Sequence, residues 1–561
     1  MNSFLLKNRW TILIAFLALF LRSFQLTSSP PSPYWEEVAL GYDAYTISET
    51  GKDHHGNSWP LVAFESFGDW KPSGYFYAVV PFIKLMGLNL WAVRLPSVVA
   101  GVAIVIGLGV LTRILAVKAL KEKQSSCLSM VAMLLATVNP WLIQFSRAGW
   151  EVNLATALIL WGVIAGWRAI GLEAKQRARF IWLAVSALLL ILAMYTYHSA
   201  RILAPVLGLW FAWQFIVKEL KNRTKKVFWQ GYLLVGLLTL VLVQPFITAW
   251  ESPVLGQRVA ETSILQKVSI VERSNQLKDM HDNSWWARLA YHRYLIGGGE
   301  VLQNFLSHFR LDFLFLDGDV NPRHSSQYFG LFYPVELVFL VVGVVWLLKN
   351  LPAKQKQLLA LWLVFGVLPA ALTKAAPHAL RILPTASVWL VAIAVGVWQV
   401  WEWLSRVWNK KLAKLVLVLI YLGLFIVFYR HLLVVYPQRY SAEWQFGYQG
   451  MIAAVEELRA TNPDLPVYIT REHGRPAMYY WFYTATDPRL VQEANSAAVK
   501  DQGEFLQFEN LYFVRSLGEI ERTPAIIVGS PAEMENFLLT DQLITITNLN
   551  GEPVWQLGLV D

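Results

Sequence analysis

Apolar runs of 16 or more residues recur along the chain up to about residue 430, separated by short polar segments, and after that point the pattern changes. The runs fall at about 10–26, 92–115, 128–146, 152–170, 180–196, 202–217, 228–248, 331–348, 357–373, 382–402 and 413–430. A hydrocarbon core of about 30 Å takes roughly 20 mostly apolar residues per helical crossing, so this pattern predicts a mainly α, polytopic membrane helical bundle of about eleven spans. The apolar stretch at 75–86 is short and carries Pro81 and Lys84, which predicts an interfacial or half-inserted helix on the exterior side. Beyond residue 431 the periods shorten. An amphipathic helix at about 448–458, strands at 467–470, 511–514 and 525–528, and a helix at about 532–538 predict a small soluble α/β domain. The expected division is therefore 1–435, a transmembrane domain, and 436–561, an exterior domain.

Composition agrees. Of 561 residues, 55% are hydrophobic and only 16% charged, which excludes a string of soluble domains. Charge placement supplies an orientation. With Lys7 and Arg9 cytoplasmic, alternate loops carry Arg113, Lys118, Lys121 and Lys123, then Arg168, Lys175, Arg177 and Arg179, then Lys218, Lys221, Arg223, Lys225 and Lys226. Lys349, Lys354 and Lys356 follow, then Arg406, Lys410, Lys411 and Lys414, all on the same side. A multi-pass protein of the cell membrane with its N-terminus inside and C-terminus outside is expected. The net charge of +9 resides in these loops rather than in a compact basic domain, so a nucleic-acid partner is not expected. The single cysteine, Cys127, rules out an intrachain disulfide and a thiolate metal cluster.

Three exterior regions remain for chemistry: about 27–91, about 249–330, and the tail. In the second, Trp285-Trp286 through Tyr294 mixes aromatic and basic residues as an interfacial helix does, before the breaker Gly297-Gly298-Gly299. The first holds Glu36 and Glu37. Adjacent helical side chains point about 100° apart, so one carboxylate can face a reaction centre while the other orients or caps; a plain capping pair is equally compatible. Cations at the outer ends of the spans, Lys71, Arg94, Arg147, Arg201, Lys374 and Arg381, have no place in the positive-inside pattern. Singly, each reads as a snorkelling anchor; together they suit an anionic ligand. His198 and His378 precede Arg201 and Arg381 by three residues, which predicts two His/Arg pairs each sharing a helical face. Asp317-Gly318-Asp319 has the spacing of a divalent-metal motif, but an acidic turn around glycine is the commoner source of that pattern, and the sequence itself requires no metal.

The stretch from about 10 to 430 resembles the polytopic GT-C glycosyltransferases, specifically the family 39-like group containing protein O-mannosyltransferases and lipid A aminoarabinose transferases. The resemblance is carried by Glu36-Glu37, by Lys71-Pro72, by Arg94-Leu95-Pro96, by Asn139-Pro140 through Arg147 and Glu151, by Asn321-Pro322-Arg323-His324-Ser325 before Gly330, and by His378 to Pro384. Glu36 stands where the family usually has Asp, and Ser73-Gly74 follows Lys71-Pro72 where many members have a second proline. The resemblance implies an inverting transfer of a mannose-like sugar or aminosugar from a polyprenyl phosphate donor, on the exterior face, to a protein, glycolipid or cell-wall glycan acceptor. It implies Glu36 as general base with Glu37 orienting it or serving as the alternative base, and Glu151 as a second acidic contact. Lys71 and one or more of Arg147, Arg201 and Arg381 would hold the donor phosphate, with His198, Arg323, His324 and His378 completing the substrate-binding set. No nucleotide or other cofactor is implied. A transporter or flippase of lipid-linked sugars shares the apolar bulk but predicts ionisable residues in mid-span. An oligosaccharide ligase or polymerase would use the same class of donor.

Overall fold

The computed structural model describes all residues except Met1, Lys118, 172–175, 222–228, 250–262, 265–266, 496–498, 502, 521–522 and 541–542, and the side chains of 2–8, 176–177, 219–221, 229–230 and 232. Lys118, Lys175, Arg223, Lys225, Lys226 and part of the 249–330 loop, together with the side chains of Lys7, Arg177 and Lys221, thus lie outside the described residues.

Each apolar run in the sequence overlaps a helix among the described residues. Six helices are long and apolar enough to cross a membrane: Leu90–Ala116, Glu151–Gly171, Ala178–Thr196, Ala200–Lys218, Ala379–Val407 and Lys410–Arg439. Glu122–Val138 and Pro140–Ser146, bent by 58°, make a seventh if they form one broken span. Length and composition therefore support six or seven spans among the described residues, fewer than the eleven runs. Glu336–Asn350 is one run that falls short: its 15 residues cover only about 22 Å at 1.5 Å per residue. The chain is a multi-pass membrane protein of mainly helical structure with a sheet near its C-terminus.

The bend has a local cause. Asn139 precedes a proline and takes the extended backbone (φ −68°, ψ 129°) that such residues favour. Its Oδ1 then accepts from Leu142 N at 3.0 Å, capping the second piece, while its Nδ2 donates to Leu331 O at 3.1 Å.

The chain divides into two compact units. The first comprises Met1–Arg22, Ser97–Ser146 and Trp150–Phe428. Its helices Glu336–Asn350 and Ala386–Val407 meet backbone to backbone at two glycines: a Cβ on Gly343 would lie 1.8 Å from Ala392 O, and one on Gly396 1.7 Å from Phe339 O. Small residues at helix crossings allow this approach in membranes. Arg22, fully buried in the same unit, donates to the carbonyls of Ala136 (2.9 Å) and Thr137 (3.3 Å), closing the C-terminus of Glu122–Val138 where a cation is favourable.

The second unit comprises Ser23–Pro96, Arg147–Gly149 and Tyr429–Asp561. The loop that follows the first helix belongs to the same unit as the tail. The tail carries a six-stranded sheet in the order Gln507–Phe508, Leu511–Val514, Val467–Thr470, Ala525–Gly529, Pro553–Val560, Ile544–Thr547. Val467–Thr470 pairs in parallel with both neighbours and, like Ala525–Gly529, is buried throughout, as central strands covered on both faces are. The three strands read from the sequence are present. The outer three escape pattern reading because Gln, Thr and Gly interrupt their alternation.

The first loop folds against this tail within the unit. Helix Trp35–Thr50 is held by Gln445 Oε1, which accepts from Trp35 N and from Tyr479 Oη, both at 2.9 Å. Gly41 leaves room for Phe482 and Val93, which an added Cβ would meet at 2.6 and 2.7 Å. A hairpin of Ala63–Ser66 and Asp69–Pro72 follows, turning at Phe67 and Gly68 with φ of 56° and 73°, the left-handed pair that suits a tight hairpin. The short apolar stretch becomes helix Gly74–Met86.

Candidate active site

Glu36 and Glu37 sit in the first turn of Trp35–Thr50, where the helix dipole favours negative charge. As neighbours on a helix they diverge. Glu36 Oε1 lies 2.8 Å from Lys71 Nζ, and the same ammonium is 3.3 Å from Asp69 Oδ2. Lys71 and Asp69 share the second hairpin strand. The Glu36 and Lys71 side chains are 22% and 11% exposed, so the pair is shielded yet open to a ligand. Glu37 is fully buried. Arg94 grips it bidentately, Nε to Oε1 at 2.8 Å and Nη2 to Oε2 at 2.9 Å, and Gly149 N donates to Oε1 at 2.8 Å. The remaining Arg94 hydrogens serve the carbonyls of Leu26, Pro30 and Ser32. The pair therefore splits into an accessible acid and an internal strut.

Of the expected phosphate ligands, Lys71 stands beside Glu36, whereas Arg147 is engaged differently. Its guanidinium is buried and donates to the main-chain carbonyls of Ser29 (2.8 Å), Phe24 (2.8 Å) and Gln25 (2.9 Å). Through Nε and Nη2 the guanidinium thus braces the chain that leaves the first helix. Glu151 opens the helix Glu151–Gly171 at a half-buried position.

The first His/Arg pair forms as its spacing predicts: Arg201 Nη1 lies 3.1 Å from His198 Nδ1, with the guanidinium over the Phe246 ring at 5.3 Å. The second pair does not form. Arg381 Nη1 donates to Thr373 Oγ1 and to Ala375 O (3.2 Å). His378 instead precedes the helical turn Ala379–Ile382 in extended backbone, so its ring turns toward His324, 4.7 Å away between centroids. The same spacing thus brings His198 to Arg201 across a turn, closed by Arg201 N to His198 O at 3.0 Å, and fails at His378, whose backbone is extended.

His324 and His378 converge on Asp319. Both Nδ1 atoms lie 3.6 Å from Asp319 Oδ2. Asp317, by contrast, is exposed, and Gly318 between the two acids takes φ +78°, so the Asp-x-Asp run is a turn whose acids part company. Asp319 is fixed by Asn321 N on Oδ1 (2.9 Å) and Ala379 N on Oδ2 (2.7 Å). Asn321 also caps the 3₁₀ turn Pro322–His324 by accepting from Arg323 N at 3.0 Å, which places Arg323 beside this cluster at a half-buried position.

A buried group that the sequence reading passed over lies in the second unit. Asp43 Oδ1 accepts from His54 N (3.1 Å) and faces His54 Nδ1 at 2.7 Å, and the His54 and His55 rings lie 3.8 Å apart. Burial pushes Asp43 up to about 7, His54 down to about 4 and His55 down to about 3. The adjacent histidines just after a helix were the available signal.

No protein-family model and no curated protein matches the chain. Solved structures do. The chain is similar in structure to two membrane glycosyltransferases. ArnT from Cupriavidus metallidurans, bound to undecaprenyl phosphate, aligns with a TM-score of 0.48 at 13% identity, covering 98% of each chain. The Archaeoglobus fulgidus oligosaccharyltransferase with zinc and sulfate aligns with a TM-score of 0.48 at 11% identity, over 84% of this chain and 61% of that one. The oligosaccharyltransferase AglB of the same organism, with an inhibitory peptide and dolichol-phosphate, gives 0.47 at 11%, over 85% and 63%. Similarity at 11 to 13% identity and TM-scores of 0.47 to 0.48 leaves the chemistry to be read from the side chains.

Proposed function

We propose that this protein is a membrane glycosyltransferase that moves a sugar, mannose-like or an aminosugar, from a polyprenyl phosphate to an acceptor on the exterior face of the cell membrane, with inversion. The observation that carries this reading is the division between Glu36, accessible and paired with Lys71, and Glu37, buried and locked to Arg94. The acceptor hydroxyl or amine gives its proton to the Glu36 carboxylate as its oxygen or nitrogen bonds to the sugar C1. The bond from C1 to the phosphate oxygen breaks, and polyprenyl phosphate leaves with the electron pair. A positioned carboxylate contributes typically 10²–10⁴-fold to such a step. The departing phosphate needs electrostatic stabilisation more than an acid, and Lys71, with an ammonium of three donors, is the nearest source. Glu37 orients the turn that carries Glu36. A protein, a glycolipid or a cell-wall glycan serves as acceptor in this reading, and the tail selects it; that the tail shares one unit with the loop carrying Glu36 supports this role.

The test is transfer by purified protein supplied with polyprenyl phosphate sugars, read as release of free polyprenyl phosphate. Glu36→Gln abolishes release while the protein stays folded in detergent. Wild-type turnover in that variant overturns the assignment.

A further inference from the structure

The cluster of Asp319, His324 and His378 is more than a meeting of three polar residues. The His324 and His378 side chains are 11% and 13% exposed, and the Nδ1 of each has no hydrogen-bond partner among the described residues. At 3.6 Å from Asp319 Oδ2 neither is close enough for a hydrogen bond. Two buried imidazole nitrogens aimed at one carboxylate oxygen without bonding to it are costly unless something lies between them.

The separations state what fits. A tetrahedral ion bound at about 2.0–2.1 Å to nitrogen and oxygen holds its ligand atoms about 3.4 Å apart. The two nitrogen to oxygen distances are 3.6 Å, and the ligand atoms of all three residues lie within 4.8 Å of one another. Small movements of two rings close the gap. The carboxylate is anchored from behind by Asn321 N and Ala379 N, the outer support that metal-bound carboxylates have. The neighbouring His308 is engaged elsewhere: its Nδ1 donates to Asn304 O at 2.7 Å and its Nε2 accepts from His378 N at 3.2 Å, fixing the backbone that presents the His378 ring. Two imidazoles and one carboxylate suit a borderline first-row divalent ion rather than magnesium or calcium, which take oxygen ligands.

We infer that Asp319, His324 and His378 form a divalent-cation site of the zinc class, with three protein ligands and a fourth position open to water or an anionic oxygen. The ion would pin the Asp319–His324 loop to the start of the helical turn at Ala379. An open position distinguishes such a site from a closed structural one.

The experiment uses full-length, tag-free protein in detergent, stripped with EDTA and then dialysed against Zn(II), Co(II) or Mg(II) alone. The site predicts one Zn(II) retained per chain, a visible Co(II) spectrum of tetrahedral type, and no displacement by excess Mg(II). His378→Gln and Asp319→Asn weaken Zn(II) at least about 100-fold, beyond the loss caused by removing an outer partner. Wild-type protein that retains neither Zn(II) nor Co(II), an octahedral Co(II) spectrum, or equal retention by the variants each overturns the site. Should a variant fail to fold, the wild-type Co(II) spectrum decides alone. None of these readouts requires sugar transfer, so the site and the proposed activity stand or fall separately.

Discussion

Lys71 Nζ lies 2.8 Å from Glu36 Oε1, bridging a hairpin strand to the first turn of the helix that carries both glutamates. The contact separates two residues that the sequence leaves equivalent. Glu36 keeps access to a ligand, and Glu37 is enclosed.

Exchanging each glutamate for glutamine should therefore give opposite phenotypes. Glu36→Gln loses at least about 100-fold in transfer with little change in thermal unfolding. Glu37→Gln lowers the unfolding temperature, because a buried guanidinium loses its counter-charge. Equal activity losses with unchanged stability in both variants would rule out this division.

The two buried arginines should behave as braces. Arg94→Met leaves Glu37 enclosed without its counter-charge and should cost about 3–5 kcal/mol of stability. Arg147→Met removes the donor to the carbonyl of buried Ser29, at about 1–3 kcal/mol for a buried group left unsatisfied. Lys71→Met, in contrast, should raise the KM for the lipid-linked donor. The comparison to make is donor KM against unfolding midpoint for all three; a selective rise in donor KM in Arg147→Met would return that residue to the phosphate site.

Gly343 and Gly396 should tolerate no side chain. A Cβ at either would come within 2 Å of a carbonyl oxygen on the facing helix, far inside contact distance. Gly396→Val should lower stability by about 1–3 kcal/mol or more, as overpacking does, and reduce the yield of monodisperse protein in detergent. Wild-type unfolding behaviour would show that these helices are not held at that distance.

Acid should destabilise the second unit through His55. An unfolded histidine takes up a proton below about 6.5, but buried His55 does so only near 3, so stability is full above pH 6.5 and is lost as the pH falls toward 3. The Asp43 and His54 pair cancels over much of that window. Folded, it keeps one proton, on Asp43 with its raised value near 7; unfolded, it also keeps one, on His54. The unfolding midpoint should thus drop between pH 6.5 and about 4, and His55→Gln should flatten that slope. An identical slope in the variant would place the titration elsewhere.

Local pattern was enough for the helices, since a run of apolar residues has one low-energy answer in a bilayer. It was enough for the central strands of the tail too, whose side chains are buried on both faces. The His198 and Arg201 pair was legible because His198 lies in a turn, its carbonyl accepting from Arg201 N at 3.0 Å, which brings the two side chains together just ahead of the helix Ala200–Lys221. His378 and Arg381 have the same spacing and were not, because His378 takes extended backbone, φ −147° and ψ 107°.

By itself, then, the sequence determined a chain of membrane helices, a sheet-bearing tail, and two carboxylates with a lysine in the loop after its first helix. Tertiary structure decided which carboxylate is enclosed by an arginine 57 residues away, which cations serve main-chain carbonyls, and that Asp319 answers to His324 and His378 rather than to Asp317. These depend on contacts between segments distant in sequence, and a side chain's charge state, reach and partners are set by what surrounds it rather than by its neighbours along the chain.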